Sequence, residues 1–151
     1  MPELHSGFEL SGDAYRRLAD FRYRIRQFLH FSEEACRAHG LEPQQHQVLL
    51  ALKGLPDGAR PTVRTLAERL CLRHHSTVEL INRLAERGAV IRQSSDYDRR
   101  EVLITLTPLG EEILRKLSVL HWEELRVAGP ALAEAIHNLF QHSPETGRSV
   151  A

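Results

Sequence analysis

Apolar residues recur along this chain at two different spacings, and the change of spacing marks out its elements. Leu18, Phe21, Ile25, Phe28 and Leu29 return every three or four positions, the period of one helix face, while Arg16, Arg17, Arg24 and Arg26 lie largely off that stripe. With Ser11 as cap and Gly40 as terminator, this predicts a helix over residues 11–40. Such a helix is about 40 Å long at 1.5 Å per residue, too long to bury its stripe against one small domain. Behind Pro43, Val48, Leu49, Leu52 and Leu55 make a second face, and Pro56-Asp57-Gly58 reads as a turn. Leu66, Ala67 and Leu70 make a third face; Val78, Ile81, Leu84 and Ala85 make a fourth. Between the two helices Cys71 and Leu72 leave room for only a tight turn, so the helices must cross sharply, as in a helix-turn-helix.

After Gly88, a residue suited to the left-handed end of a helix, the chain turns strand-like. Ala89-Val90-Ile91 and Val102-Leu103-Ile104-Thr105-Leu106 flank the polar stretch Gln93 to Arg100, the pattern of a hairpin with a charged tip. Arg60-Pro61-Thr62-Val63 is expected to add a short strand beside it, before Thr62 or Thr65 opens the first helix of the motif. Thr107-Pro108 has the form of a cap followed by a first-turn proline, with Leu109, Ile113, Leu117, Leu120 and Leu125 facing inward. Gly129-Pro130 is expected to end that helix, leaving a short last one over residues 131–142 that carries Leu132, Ile136, Leu139 and Phe140. Residues 1–10 read as a mobile arm and residues 143–151 as a disordered tail.

A hairpin beside a helix-turn-helix is a wing, and the ordered set of short motifs around it resembles the MarR family of bacterial transcriptional regulators. The family pattern is met by Leu66-Ala67-Glu68-Arg69-Leu70, Ser76-Thr77-Val78, Asp98-Arg99-Arg100 and Leu106-Thr107-Pro108-Leu109-Gly110. No single piece is specific; their order is. The resemblance covers roughly residues 11–142. It implies a mainly α fold with a small β-wing, in which a winged helix-turn-helix core over 41–107 carries N- and C-terminal dimerisation helices over 11–40 and 108–142. The uncovered apolar faces at both ends of the chain independently ask for a second copy, most simply across a twofold axis.

A net charge of zero looks wrong for a DNA-binding protein until it is divided along the chain. Residues 60–100 hold nine Lys/Arg against five Asp/Glu, whereas residues 1–59 hold seven against eight and residues 101–151 four against seven. Positive charge is gathered where the helix-turn-helix and wing lie, which is where a protein that neutralises phosphates needs it. The composition, 42% hydrophobic and 26% charged, is that of a water-soluble globular chain, and no apolar run approaches the roughly 20 residues that span a bilayer. A cytoplasmic protein with no membrane partner is expected, with Cys36 and Cys71 as reduced, buried thiols.

The resemblance implies a sequence-specific regulator of double-stranded DNA that binds a pseudo-palindromic operator as a homodimer and is released by a small-molecule effector. Two recognition helices roughly 34 Å apart would each enter a major groove. In the helix from about His74 to Arg87, the first-turn residues His74, His75, Ser76 and Thr77 are candidates for bases or phosphates, with Asn82 and Arg83 beyond them. Arg73 stands where the family has a Ser, Asp or Thr cap, and Cys71 where it has a turn glycine; the first departure turns Arg73 towards phosphate. At the wing, Arg100 is the candidate for insertion into a narrow minor groove, Asp98 for holding it, and Arg99 for a further phosphate or groove contact.

Other residues in the chain raise competing readings. Cys36, His39, His46 and His121 with Glu33 and Glu34 raise a metal-responsive regulator, but Leu117 and Leu125 stand four residues either side of His121 where a second histidine would be wanted. Redox response through Cys36 has only Arg37 beside it to lower the thiol pKa. A winged-helix interaction module without DNA binding would have no use for Ser76, Thr77, Arg99 and Arg100. Phosphate loops, nucleophile elbows and paired metal-binding helices are missing from the sequence, so neither an enzyme nor a bound cofactor is expected.

Overall fold

The computed structural model describes residues 10–141; the expected arm and tail lie outside them, save Leu10. Five helices and two strands follow in the order α1 (Gly12–Ala38), α2 (Pro43–Lys53), α3 (Val63–Leu70), α4 (His74–Glu86), β1 (Val90–Ser94), β2 (Val102–Leu106) and α5 (Pro108–Gln141). The fold is therefore mainly α with a small antiparallel wing, as the periodicity predicts.

The helix ends are set by local chemistry. Ser11 Oγ accepts from the Ala14 amide at 3.2 Å, and Thr62 Oγ1 from the Thr65 amide at 3.1 Å, each satisfying an amide that the helix itself cannot. At α2 the Gln45 side chain reaches back to the Glu42 amide at 3.1 Å. Between α2 and α3, Gly58 takes φ +79° and Ala59 donates to the Pro56 carbonyl at 3.0 Å, closing the turn that Pro56-Asp57-Gly58 announces.

Two expectations are corrected. Arg60 to Val63 is not a strand: the sheet has two strands, and this segment contributes a single ladder-like bond, Ile104 N–H to the Pro61 carbonyl at 2.8 Å. Proline has no amide to donate, and Thr62 is already turning to cap α3. Nor does Gly129-Pro130 end a helix; α5 runs through Pro130 to Gln141. Pro130 gives up its own i→i−4 bond, but Gly129 before it has no Cβ to crowd the proline ring, and the Ala131-Leu132-Ala133-Glu134-Ala135 run beyond is strongly helix-forming.

The chain divides into two compact units, Ser32–His121 and the residues on either side of it. Within the first, Leu41, Val48, Leu49, Leu66, Ile81, Leu84, Val90, Ile104 and Leu117 are almost wholly buried in one cluster. Each such side chain stabilises the fold by about 1.5–3 kcal/mol relative to exposure. In the second unit Ala135 is the one buried apolar residue among those described, whereas Tyr15, Leu18, Tyr23, Trp122, Val127 and Phe140 stand open. No helix among the described residues is long and apolar enough to cross a membrane.

Candidate nucleic-acid interface

The motif turn is made by the backbone. Leu72 donates to the Ala67 carbonyl at 2.9 Å and Cys71 to Glu68 at 3.2 Å, with Cys71 in the left-handed region at φ +54°. A non-glycine residue there costs about 1–2 kcal/mol. Cys71 is exposed, so the expectation of a buried packing thiol fails for it and holds for Cys36.

Helix α4 begins at His74, with Arg73 in the cap position in extended conformation and with no side-chain cap bond. Its buried face is Thr77, Leu80, Ile81 and Leu84, which fixes the opposite face in the open. Arg73, His74, His75, Asn82 and Arg83 are exposed and Ser76 is half-buried. Thr77 is the exception among the candidates. It has no exposed surface, and its hydroxyl donates to the Arg73 carbonyl at 3.0 Å. It belongs to the core side of the helix and is withdrawn as a DNA contact, since it lies three residues before Leu80 and four before Ile81 on their face.

The wing pairs Val90 with Leu106 through Ser94 with Val102. Its base is locked to the start of α5: Thr107 Oγ1 donates to the Gly88 carbonyl at 2.5 Å and accepts from the Gly110 amide at 3.1 Å. A Cβ on Gly110 would fall 2.0 Å from the Ala89 carbonyl oxygen, which is the physical meaning of the glycine in Leu-Thr-x-x-Gly. At the tip, residues 96–100 are all exposed. Asp98 Oδ1 accepts from the Arg100 amide at 2.9 Å, so it shapes the turn through Arg100's backbone.

Two arginines that motif reasoning passed over also bear on this surface. Arg92 of β1 donates to Asn82 Oδ1 and so ties the wing to the exposed face of α4. Arg60, expected above only as a strand residue and a positive charge, donates to Ser95 Oγ at 2.7 Å and pairs with Glu101. Neither partnership leaves a periodic or motif signal, because each joins residues distant in sequence.

Ser32 of α1, His46 of α2 and His121 of α5 form a largely buried polar cluster. His46 and His121 stack at 4.8 Å between ring centroids, 16° from parallel. His121 bonds Ser32 Oγ and the Leu117 carbonyl, both at 2.6 Å. Burial, and secondarily the neighbouring His121, lowers the His46 pKa to about 4. Burial likewise raises that of Cys36, against a hydrogen bond to Ser32 and the charge of Arg37, so its thiol stays protonated and has little nucleophilic character. No group of three or more His, Cys, Asp or Glu among the described residues is placed to hold a metal ion.

Residues 39–101 match the family model described as MarR family. The putative transcriptional regulatory protein for the hcr operon of Thauera aromatica is 26% identical over 96 residues, 64% of this chain and 56% of that relative. The match thus spans little more than half of the relative's length. Among solved structures, AbsC, a MarR family transcriptional regulator from Streptomyces coelicolor, superposes with a TM-score of 0.72 at 21% identity, over 90% of this chain and 93% of that one. BpsR of Bordetella bronchiseptica, whose DNA binding is regulated by 6-hydroxynicotinic acid, gives 0.60 at 22% identity over 82% and 95%. At these identities the structural likeness is one of fold.

Proposed function

We propose that the chain, whose residues 39–101 match the MarR family model, is a transcriptional repressor of that family that binds a pseudo-palindromic DNA operator as a homodimer and is released by a small ligand. The observation that carries the reading is the shared exposure of two sets of groups on one winged domain: His74, His75, Asn82 and Arg83 on α4, and Arg99 and Arg100 on the wing. The α4 groups offer donors and acceptors of the length that reads base edges, and the wing arginines suit the negative potential of a narrow minor groove. Arg73, beside first-turn amides that no side chain caps, suits a phosphate.

Homodimerisation is supported by the apolar side chains left open on the terminal-helix unit, among them Tyr15, Leu18, Trp122 and Phe140. A twofold dimer would set the spacing of two recognition helices, and a ligand that favours a different spacing would lower operator affinity with no change at the DNA surface. Regulation of BpsR by 6-hydroxynicotinic acid supports a small organic effector. Nothing in this reading calls for catalysis.

The test is to incubate the purified protein with sheared genomic DNA at moderate salt and sequence what it retains. Enrichment of a few pseudo-palindromic sites is expected; uniform recovery, or none, would refute sequence-specific binding.

A further inference from the structure

We propose that Arg60 is a positioning residue for the wing: it braces the base of the tip through Ser95 and Glu101 so that Arg99 and Arg100 are presented to DNA in one orientation. This rests on reading the wing as a DNA-contacting arm.

The contacts converge from both sides. Arg60 Nη2 donates to Ser95 Oγ at 2.7 Å and pairs with the Glu101 carboxylate. Ser95 is the one buried residue between Gln93 and Arg100, at 3% exposure, and its hydroxyl also accepts the Tyr97 amide at 3.2 Å. The Ser95 amide donates to the Glu101 carbonyl at 2.9 Å, and the Glu101 amide to the Asp98 carbonyl at 3.0 Å. With Asp98 Oδ1 on the Arg100 amide, this makes a closed loop of bonds that, among the described residues, Arg60 ties by its side chain to the segment leading into α3. Arg60 is itself anchored, because Pro61 beside it accepts from Ile104 of β2 and Thr62 caps α3.

Electrostatics argues that this is the residue's task. Its charge is matched by Glu101, so it adds little net attraction for phosphate, and a half-exposed ion pair contributes little to stability. Its Nη2 carries two N–H donors, by contrast, and so can hold the Ser95 and Glu101 oxygens at once. Without it, the tip residues 96–100 retain only bonds among themselves and the paired strands, and the exposed arginines would lose orientation before binding and regain it at an entropic cost.

The test is a mutant cycle on the duplex the wild type enriches most strongly from genomic DNA, with dissociation constants read by fluorescence anisotropy. Arg60→Met is expected to raise Kd about five- to tenfold, part of the effect of losing a specific arginine contact. In an Arg100→Ala, Arg99→Ala background the same change should have no further effect. Glu101→Met gives a second, opposing check: deleting a negative charge near DNA should tighten binding if charge alone matters, whereas the brace predicts weakening. An equal loss from Arg60→Met in both backgrounds, an unchanged Kd, or tighter binding by Glu101→Met would overturn the assignment. If the wild type enriches no duplex, the DNA-binding reading fails at that earlier step and the brace with it.

Discussion

The winged unit and the terminal-helix unit are built from the same kinds of residue, yet one closes its own core and the other does not. Between Ser32 and His121 the apolar positions of α2, α3, α4 and the wing meet and shed water; among the described residues outside that span, Ala135 alone is buried. The difference lies in geometry. Short helices crossing at tight turns cover one another on several sides, whereas Gly12–Ala38 and Pro108–Gln141 are long elements whose stripes extend beyond what a small domain can cover. A chain that leaves Tyr15, Leu18, Trp122, Val127 and Phe140 in water has a surface suited to a partner.

The largest expected effect separates the units by core truncation. Leu84 has no exposed surface and sits in the winged cluster, so Leu84→Ala should lower unfolding stability by about 2–5 kcal/mol through lost transfer energy plus a cavity. Leu18→Ala, on a residue 44% exposed, should leave the winged unit's stability nearly unchanged and instead weaken self-association, seen as a rise in the monomer fraction by analytical ultracentrifugation. If both variants lost similar stability at low protein concentration, where monomer prevails, the two units would not differ as described.

The next effect probes buried His46, stacked on His121 in the winged unit. The His46 pKa falls from 6.5 to about 4 on folding, so between those values the unfolded chain binds more protons and stability must fall as pH drops. The full contribution stands above the unfolded value and is lost by pH about 4. That shift corresponds to roughly 3 kcal/mol at about 1.4 kcal/mol per unit. His46→Gln should flatten this part of a denaturant-midpoint series from pH 7 to 4. A series as steep as the wild type's would assign the acid sensitivity to other groups.

DNA affinity should follow the winged unit's exposed arginines. Arg100→Ala is expected to weaken specific binding by about 1–3 kcal/mol at fixed salt, with dimerisation unchanged. Unaltered affinity for the selected duplex would remove Arg100 from the interface.

What the sequence revealed and what it hid divide along the same physical line. Features encoded by neighbours in sequence were legible: the caps at Ser11, Thr62 and Thr107, the positive φ of Gly40 and Gly88, the paired strands of the wing, and the exposure of His74 and His75 at the start of α4. Gly129-Pro130 misled because a local breaker signal was weighed without the alanine-rich run beyond it. Features made by distant residues stayed out of sight: Arg60 on Ser95 and Glu101, and Arg92 on Asn82; His46 and His121, grouped in the sequence as candidate metal ligands, meet instead as a ring stack. Thr77 is the intermediate case, since its position on the Leu80 and Ile81 face could have been counted from helical spacing, but its match to Ser-Thr-Val outweighed that count.

The smallest effect tests that last point on two adjacent residues. Ser76 is half-buried at the edge of the buried face of α4, one turn from Leu80, while Thr77 is fully buried and its hydroxyl donates to the Arg73 carbonyl. That carbonyl also accepts the Thr77 amide at 3.1 Å, so removing the hydroxyl does not strand it. Thr77→Val keeps the branched shape and should cost stability about 1 kcal/mol or less, with Kd for DNA unchanged once the folded fraction is matched. Ser76→Ala should do the reverse, leaving the melting curve in place and weakening DNA binding by about 1 kcal/mol, the scale of one hydrogen bond. Loss of DNA affinity from Thr77→Val at full folding would return Thr77 to the interface and show that α4 rotates when it meets the groove.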